Sequence, residues 1–179
     1  MAFTSHYKQK VGMGQMGANQ AMLERIQPLQ LMRNHLFLNT GTGRFREVAQ
    51  MAGLGKTDWT WSVKFQDLDL DGMPDLFVTN GACRSFNHSD FPGTTSTNLI
   101  GKTKWDLWKD TPPRPETNLA FRNSGGVKFS NATDAWGLGE SSISHGQACG
   151  DLDGDGDPDL VITNIDDTVS LFRNDSNAP

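Results

Sequence analysis

Short apolar runs separated by glycine-rich or acidic turns make up most of this chain. Residues 59–65 alternate apolar and polar side chains, as expected of a strand with one buried face. Residues 76–79 and 160–163 are short runs rich in residues that favour strands. Residues 36–38 and 44–48 flank a Thr-Gly-Thr-Gly sequence, which predicts a hairpin turn. The pattern therefore predicts an all-β protein built from short strands.

The chain contains an internal repeat. Residues 34–81 align without a gap on residues 118–165, 84 positions later, and 18 of the 48 pairs are identical. A third, partial copy follows, because Phe172 lies only 51 positions after the equivalent Phe121. The difference of 33 residues indicates an insertion after the first copy and a basic unit of about 50 residues, the length of a β-propeller blade.

The repeat predicts a β-propeller segment of four-stranded antiparallel blades. One complete blade consists of predicted strands at residues 59–65, 76–80, 119–123 and 128–132, with the insertion between its second and third strands. Two strands of a preceding blade come before it, and three strands of a following blade come after it. Because such sheets bury their faces only against neighbouring repeats, we expect the chain to be a piece of a larger propeller, with the other blades as its first partners.

The repeat also divides the chain into five regions. The first is the end of a preceding blade and a linker, with a short helix predicted near residues 20–27. The others are a first repeat copy, the insertion, a second copy and the start of a further repeat. The boundaries are 1–33, 34–81, 82–117, 118–165 and 166–179.

The charge of the chain is concentrated in two places. The net charge is −5, yet nine of the 21 acidic residues lie within residues 67–75 and 151–159, and the remainder carries 16 basic and 12 acidic residues. This distribution excludes an acidic disordered tail and a basic nucleic-acid surface. The sequence contains no apolar run long enough for a membrane helix, and residues 1–20 lack the apolar core of a signal peptide.

The two acidic segments share the spacing D-x-D-x-D-G-x-x-D. Carboxylates at positions 1, 3, 5 and 9 and the backbone carbonyl at position 7 can surround one hard cation, and glycine at position 6 permits the turn. Calcium fits this set of oxygen ligands better than magnesium, which keeps more of its water, so we expect about two Ca²⁺ ions. The predicted ligands are Asp67, Asp69, Asp71, Asp75 and the Met73 carbonyl in the first loop, and Asp151, Asp153, Asp155, Asp159 and the Asp157 carbonyl in the second.

Two other interpretations of the acidic loops are an EF-hand and a metal-free turn. An EF-hand requires a Glu at position 12 and a following helix, whereas position 12 is Val78 in one loop and Ile162 in the other, and a predicted strand follows. Solvated acidic turns without metal are the simpler interpretation. The occurrence of two such loops in the same register of a repeat disfavours it.

The residues around these loops resemble a known family. A loop followed by Leu-Phe-Val-Thr-Asn or Leu-Val-Ile-Thr-Asn is similar to the FG-GAP/VCBS repeats, the calcium-bearing propeller repeats also found in integrin alpha subunits. The longer string, with Gly-Arg-Phe-x-Glu-Val, Ala-Gly-Leu and Trp-x-Trp before the loop, resembles bacterial ASPIC/UnbV-type proteins related to cartilage acidic protein. The resemblance implies an exported propeller located extracellularly, in the periplasm or at the cell surface.

Outside the acidic loops, the candidate functional residues have less specific sequence patterns. Trp105 and Trp108, three positions apart in the insertion, form either an aromatic platform for a ligand or an anchor that packs the insertion onto the sheets, and the anchor is favoured. His145 aligns with Trp61 in the repeat and is expected to be a packed structural residue. Cys83 and Cys149 are expected to be separate thiols, with a disulfide as the alternative.

Three functions remain for the whole chain. The leading one is a non-catalytic, calcium-binding propeller segment of an exported or cell-surface protein that binds a protein or glycan. The alternative is the scaffold of a secreted polysaccharide lyase or hydrolase. A calcium-stapled array of the thrombospondin type is disfavoured, because the acidic loops here lie 84 residues apart. The carboxylates are spaced for chelation, and the sequence has neither a phosphate-binding loop nor a G-x-S-x-G motif, so we expect no catalysis.

Overall fold

The computed structural model describes residues 33–84, 101, 103, 105, 106 and 109–176. The helix predicted near residues 20–27 and the side chain of Trp108 lie outside them. The named elements are eleven strands, and the predicted all-β class is confirmed. They are β1 (Phe37–Asn39), β2 (Phe45–Glu47), β3 (Thr60–Gln66), β4 (Asp75–Asn80), β5 (Glu116–Thr117), β6 (Leu119–Asn123), β7 (Phe129–Asn131), β8 (Ser141–Ser142), β9 (Ser144–Gly150), β10 (Asp159–Asn164) and β11 (Ser170–Phe172).

A four-stranded antiparallel sheet in the order β3-β4-β6-β7 forms the centre. It is the complete blade that the repeat predicts, and its second and third strands are joined across the insertion. Strand β4 is buried at every position. Because successive side chains of a strand point to opposite faces, Leu76 and Val78 pack on one side of the sheet and Phe77 packs on the other.

A smaller sheet lies on each side of the central one. The β1–β2 hairpin corresponds to the two strands expected from a preceding blade, and the sheet β11-β10-β9 corresponds to the three expected from a following one. Phe77 and Ala120 pack with Leu160 and Ile162 of β10. This contact joins the central sheet to the β11-β10-β9 sheet, which is called the third sheet below. On the hairpin side, the core consists of Ala52, Leu54, Leu76, Val78 and Phe121.

The apolar face of strand β3 is exposed, although its alternating pattern predicts that this face is buried. Its alternating pattern correctly predicts a strand, but Trp61, Val63 and Phe65 remain 49%, 58% and 44% exposed, while its polar side chains are half-buried. The polar face lies toward the third sheet, where β3 contacts β9. Within the described part of the chain, the hairpin packs on the β4 and β6 side of the sheet and leaves the apolar face of β3 largely uncovered.

The insertion is closed at its base by pairings that the sequence did not indicate. The backbones of Ala82 and Arg114 exchange two hydrogen bonds of 2.8 and 2.9 Å. Next to this bridge, β5 pairs antiparallel with β8, which precedes β9 of the third sheet. At Gly81 the backbone has a φ of 122°, and a Cβ there would lie 2.6 Å from the Ser142 carbonyl oxygen. Only glycine therefore fits where the insertion leaves β4.

A line of hydrogen-bonded polar residues runs from the segments that flank the β1–β2 hairpin to the β9–β11 sheet, at the end of β4 opposite the acidic loop. Each member is bonded to the next over 2.5 to 2.9 Å, through the backbone N–H of Asn80 at one step and through side chains at the others, so these buried amides and hydroxyls are satisfied. The line runs through Asn34, Thr57, Thr60, Asn80, Asn118, Ser144, Asn164 and Ser170. It connects equivalent positions of the repeat. None of the described residues forms a helix long and apolar enough to cross a membrane.

Candidate metal centres

The two acidic loops occupy equivalent places in neighbouring sheets. The first joins β3 to β4, and the second joins β9 to β10. The glycines at position 6, Gly72 and Gly156, have φ values of 87° and 100°, in the region that favours glycine. Position 4 is also left-handed in both loops, with a φ of 57° at Leu70 and 82° at Gly154. The shared pattern of spacing therefore produces the same sequence of backbone turns in both loops.

Three carboxylates converge in each loop. In the first loop, Asp67, Asp69 and Asp71 each offer one oxygen, and these oxygens all lie within 4.8 Å of one another. In the second loop, the same is true of Asp151, Asp153 and Asp155. These six residues are the ones predicted at positions 1, 3 and 5. Such a cluster offers oxygens that could hold a hard cation.

The backbone of each loop keeps its position-1 carboxylate in place. The Asp67 oxygens accept the N–H groups of Asp71 and Gly72 at 3.1 and 2.9 Å. The Asp151 oxygens likewise accept the N–H groups of Gly154 and Gly156 at 2.7 and 3.1 Å. These local bonds orient the first carboxylate of each triad.

The position-9 aspartates lie beneath the loops, outside the triads. Both oxygens of the buried Asp75 accept backbone N–H groups, from Leu68 at 3.0 Å and from Asn123 at 2.8 Å. Asp159 makes the equivalent bonds with Leu152 and Asn174, both at 2.9 Å. Each aspartate thus joins its loop to the third strand of its own sheet. A carboxylate oxygen that accepts one N–H group keeps a lone pair, so the metal-ligand role of these residues stays a prediction.

The pKa values of these two aspartates move in opposite directions. Burial, with a smaller contribution from the charges of Asp69 and Asp71, raises the pKa of Asp75. The N–H groups of Asn174 and Leu152 lower the pKa of Asp159. The same two-bond arrangement therefore lies in a drier, more negative environment in the first loop.

The position-7 residues complete the loops. The N–H of Met73 donates to Asp71 Oδ1 at 2.9 Å, and the N–H of Asp157 donates to Asp155 Oδ1 at 3.2 Å. Met73 is half-buried and the side chain of Asp157 is buried. The use of their carbonyl oxygens as ligands stays a prediction.

An arginine outside the acidic motif lies on the first triad. Arg122 of β6 places its Nε 2.6 Å from Asp69 Oδ2 and its Nη2 3.4 Å from Asp71 Oδ2. Arg173 follows β11 at the equivalent position of the next sheet, 51 residues later. Aligning the third strands of the repeat at this spacing would have shown that the two arginines are equivalent, but not that they lie beside the acidic loops.

The asparagines next to these arginines bind both the position-9 aspartates and the loop backbones. Besides the backbone bonds to the position-9 aspartates, Asn123 Nδ2 donates to the Pro74 carbonyl at 3.0 Å, and Asn174 Nδ2 donates to the Pro158 carbonyl at 3.3 Å. Asn174 Nδ2 also lies 2.8 Å from the carbonyl oxygen of Leu68 in the first loop. Asn174 therefore contacts both acidic loops.

The other residues singled out from the sequence are Trp105 in the insertion, His145 and the two cysteines. Trp105 is 61% exposed and its ring lies 5.9 Å from the Arg84 guanidinium, so both the favoured anchor and the ligand platform stay predictions. The ring of His145 packs against Trp61 with centroids 4.3 Å apart, as expected of a structural histidine. Both cysteines are free thiols, Cys83 exposed and Cys149 half-buried, as the favoured interpretation expected.

Glu116 is a half-buried acid outside the loops. One of its oxygens accepts from the Arg114 guanidinium and the other accepts the Trp59 N–H at 3.0 Å. Burial raises the pKa of the Glu116 carboxyl against the opposing effect of Arg114. Because both oxygens are bonded beside the Ala82–Arg114 bridge, Glu116 stabilises the base of the insertion.

Comparison with known families identifies part of the repeat. Residues 30–78 match the family described as FG-GAP-like repeat, a stretch that contains the β1–β2 hairpin, β3 and the first acidic loop. This confirms the FG-GAP part of the resemblance, and the relation to ASPIC/UnbV-type proteins stays a prediction. A comparison with curated proteins found no match.

Proposed function

We propose that this chain is a calcium-binding segment of a β-propeller, with one ion in each acidic loop. The observation that carries the proposal is the convergence of three carboxylates at the same positions of two loops in neighbouring sheets. The match of the first of these loops to an FG-GAP-like repeat supports it independently.

The donor set favours calcium over other ions. Each loop offers only oxygen ligands, several of them carboxylates, on a short turn-rich segment, and calcium accepts six to eight such ligands in flexible geometry. Like charges this close repel each other, and a divalent cation removes that repulsion. Asp75 and Asp159, with the carbonyls of Met73 and Asp157, complete the two proposed ligand sets.

The proposed role of the ions is structural. They stiffen the turn between the first two strands of each blade, while the remaining blades of an exported or cell-surface protein complete the fold. The binding partner is a protein or a glycan, and the chain itself is not catalytic. The exposed indole of Trp105 supports a ligand-binding surface at the insertion, since such rings are used to stack against sugars and to anchor protein contacts.

Isothermal titration of the chelator-treated chain with CaCl₂ tests the proposal. We expect about two bound ions per chain, and Asp69→Asn and Asp153→Asn should each remove one of them. Asp106→Asn is the matched control, because this aspartate lies in the insertion and bonds to Thr103. A folded sample that binds no calcium at millimolar concentration would contradict the proposal.

A further inference from the structure

The guanidinium of Arg122 lies on the oxygens that the cation in the first loop would use. Its two contacts are with Asp69 and Asp71, two of the three members of the triad. Both carboxylates are mostly shielded from water, with side chains 17% and 22% exposed. A cation entering this triad must therefore displace an ion pair or bind close to a fixed positive charge.

The equivalent arginine of the second loop is held differently. Arg173 Nε lies 3.7 Å from Asp153 Oδ2, which is beyond hydrogen-bond distance. The same Nε donates to Asp175 Oδ1 at 2.7 Å, and Nη2 of Arg173 donates to that oxygen as well. Asp175 therefore draws the guanidinium away from the triad. In the central sheet, the position equivalent to Asp175 is the exposed Ser124, which has no charge to offer.

We propose that Arg122 competes with the cation for the first loop, and that Asp175 relieves the second loop of the same competition. The second loop then binds calcium more tightly than the first. This inference rests on the proposed function, because it assigns the residues that set the relative affinity of the two sites. It concerns the third-strand residues of each sheet, which lie outside the D-x-D-x-D-G-x-x-D motif.

The expected size of the effect follows from Coulomb's law. A guanidinium about 6 Å from a divalent cation in a water-like environment weakens binding by about ten-fold, and more where water is partly excluded. Arg173 is further from its triad and is paired with Asp175, so the corresponding effect at the second loop should be about three-fold or less. Added salt should reduce both effects.

Calcium titration of single-site variants measures the competition. In the Asp153→Asn background only the first site remains, and Arg122→Gln should tighten it by about ten-fold. In the Asp69→Asn background only the second site remains, and Arg173→Gln should change it by about three-fold or less. Arg122→Lys keeps the charge but loses the two-point contact, and its affinity should fall between those of the wild-type residue and Gln.

A second set of variants tests the role of Asp175 directly. Ser124→Asp should draw Arg122 aside and tighten the first site, while Asp175→Asn should release Arg173 and weaken the second. An added or removed acid also changes the local charge, so Ser124→Asp is repeated in the Arg122→Gln protein. If diversion of Arg122 is the cause, most of the effect of Ser124→Asp disappears there.

The outcomes separate this inference from the proposed function. A second site that binds calcium more tightly than the first, and a first site that tightens after Arg122→Gln, support the competition. Two sites that do not respond to Arg122→Gln, or a first site that weakens, overturn it and leave calcium binding intact. An equal effect of Ser124→Asp with and without Arg122 overturns the role of the acid. Loss of all calcium binding in the folded wild-type chain instead contradicts the proposed function.

Metal-free stability provides a readout that does not depend on ion binding. In excess chelator, Arg122→Gln removes the counter-charge of the first triad and should lower the melting temperature. In excess calcium the same substitution should leave that temperature unchanged or raise it. A melting temperature lowered equally in both conditions would mean that Arg122 is a structural residue only.

Discussion

The two acidic loops share a motif and a backbone shape but lie in different surroundings. The leucine at position 2 shows the contrast: Leu68 of the first loop is buried, whereas Leu152 of the second is 58% exposed. Leu68 packs in the core with Phe77 and Leu160, and its carbonyl accepts hydrogen bonds from Asn174 and Ser176 of the third sheet. The first loop is thus covered by the sheet that follows it.

This difference indicates what the position-2 leucine does in the repeat. It contributes little to the loop itself and instead fills the space between one sheet and the next. Within the described residues, no sheet packs on Leu152. Its exposure supports the proposal that a further blade covers it in the complete protein.

The largest expected effect concerns the aspartate beneath the first loop. Asp75→Ala leaves two backbone N–H groups without their charged acceptor and should lower the free energy of unfolding by about 4 kcal/mol. Urea unfolding in excess chelator measures this effect without any contribution from bound calcium. Asp159→Ala, made in the less covered loop, is the comparison and should cost less. Equal losses at the two positions would contradict the difference in environment described above.

The position-2 leucines sharpen the comparison further. Leu68→Ala should lower the free energy of unfolding by about 3 kcal/mol, because it opens a cavity between two sheets. Leu152→Ala should change it by less than about 0.5 kcal/mol, since the side chain is already in contact with water. Urea unfolding of the two variants side by side measures the difference. A large loss at Leu152 would show that it is covered after all, by a second copy or by another part of the chain.

The smallest effect is expected at position 4. Leu70 has a φ of 57°, whereas the second loop has a glycine at this place. Leu70→Gly should stabilise the first loop by up to about 1 kcal/mol, since glycine adopts this conformation without steric cost. Gly154→Leu should have the opposite sign. Thermal unfolding of both variants measures the change in stability. Destabilisation by Leu70→Gly would mean that the Leu70 side chain contributes packing that outweighs the relief of strain.

Much of the fold was predictable because the repeat carries it. The spacings of 84 and 51 residues placed the insertion and the order of the central sheet, and alternation located β3. Strands β5 and β8 were missed because two-residue strands leave no pattern to recognise. The exposed apolar face of β3 was also unexpected, because alternation shows that a strand has two faces but not which face is covered.

The candidate metal sites were also predictable only in part. The triads converge as expected, because their three carboxylates lie within five consecutive residues on a turn set by glycine. The arginines that face them were not predicted. Arg122 lies 51 residues after Asp71, and no local pattern relates the two positions.

The sequence by itself determined the repeat, its longer strands and the shape of the acidic loops, because these depend on hydrogen bonds and backbone preferences over a few neighbouring residues. Only the tertiary structure decided what surrounds each loop. Burial of Leu68 and the position of Arg122 over its triad depend on how the third strands and adjacent sheets pack. Two copies of one motif are therefore alike in their turns but differ in the charge and burial around them.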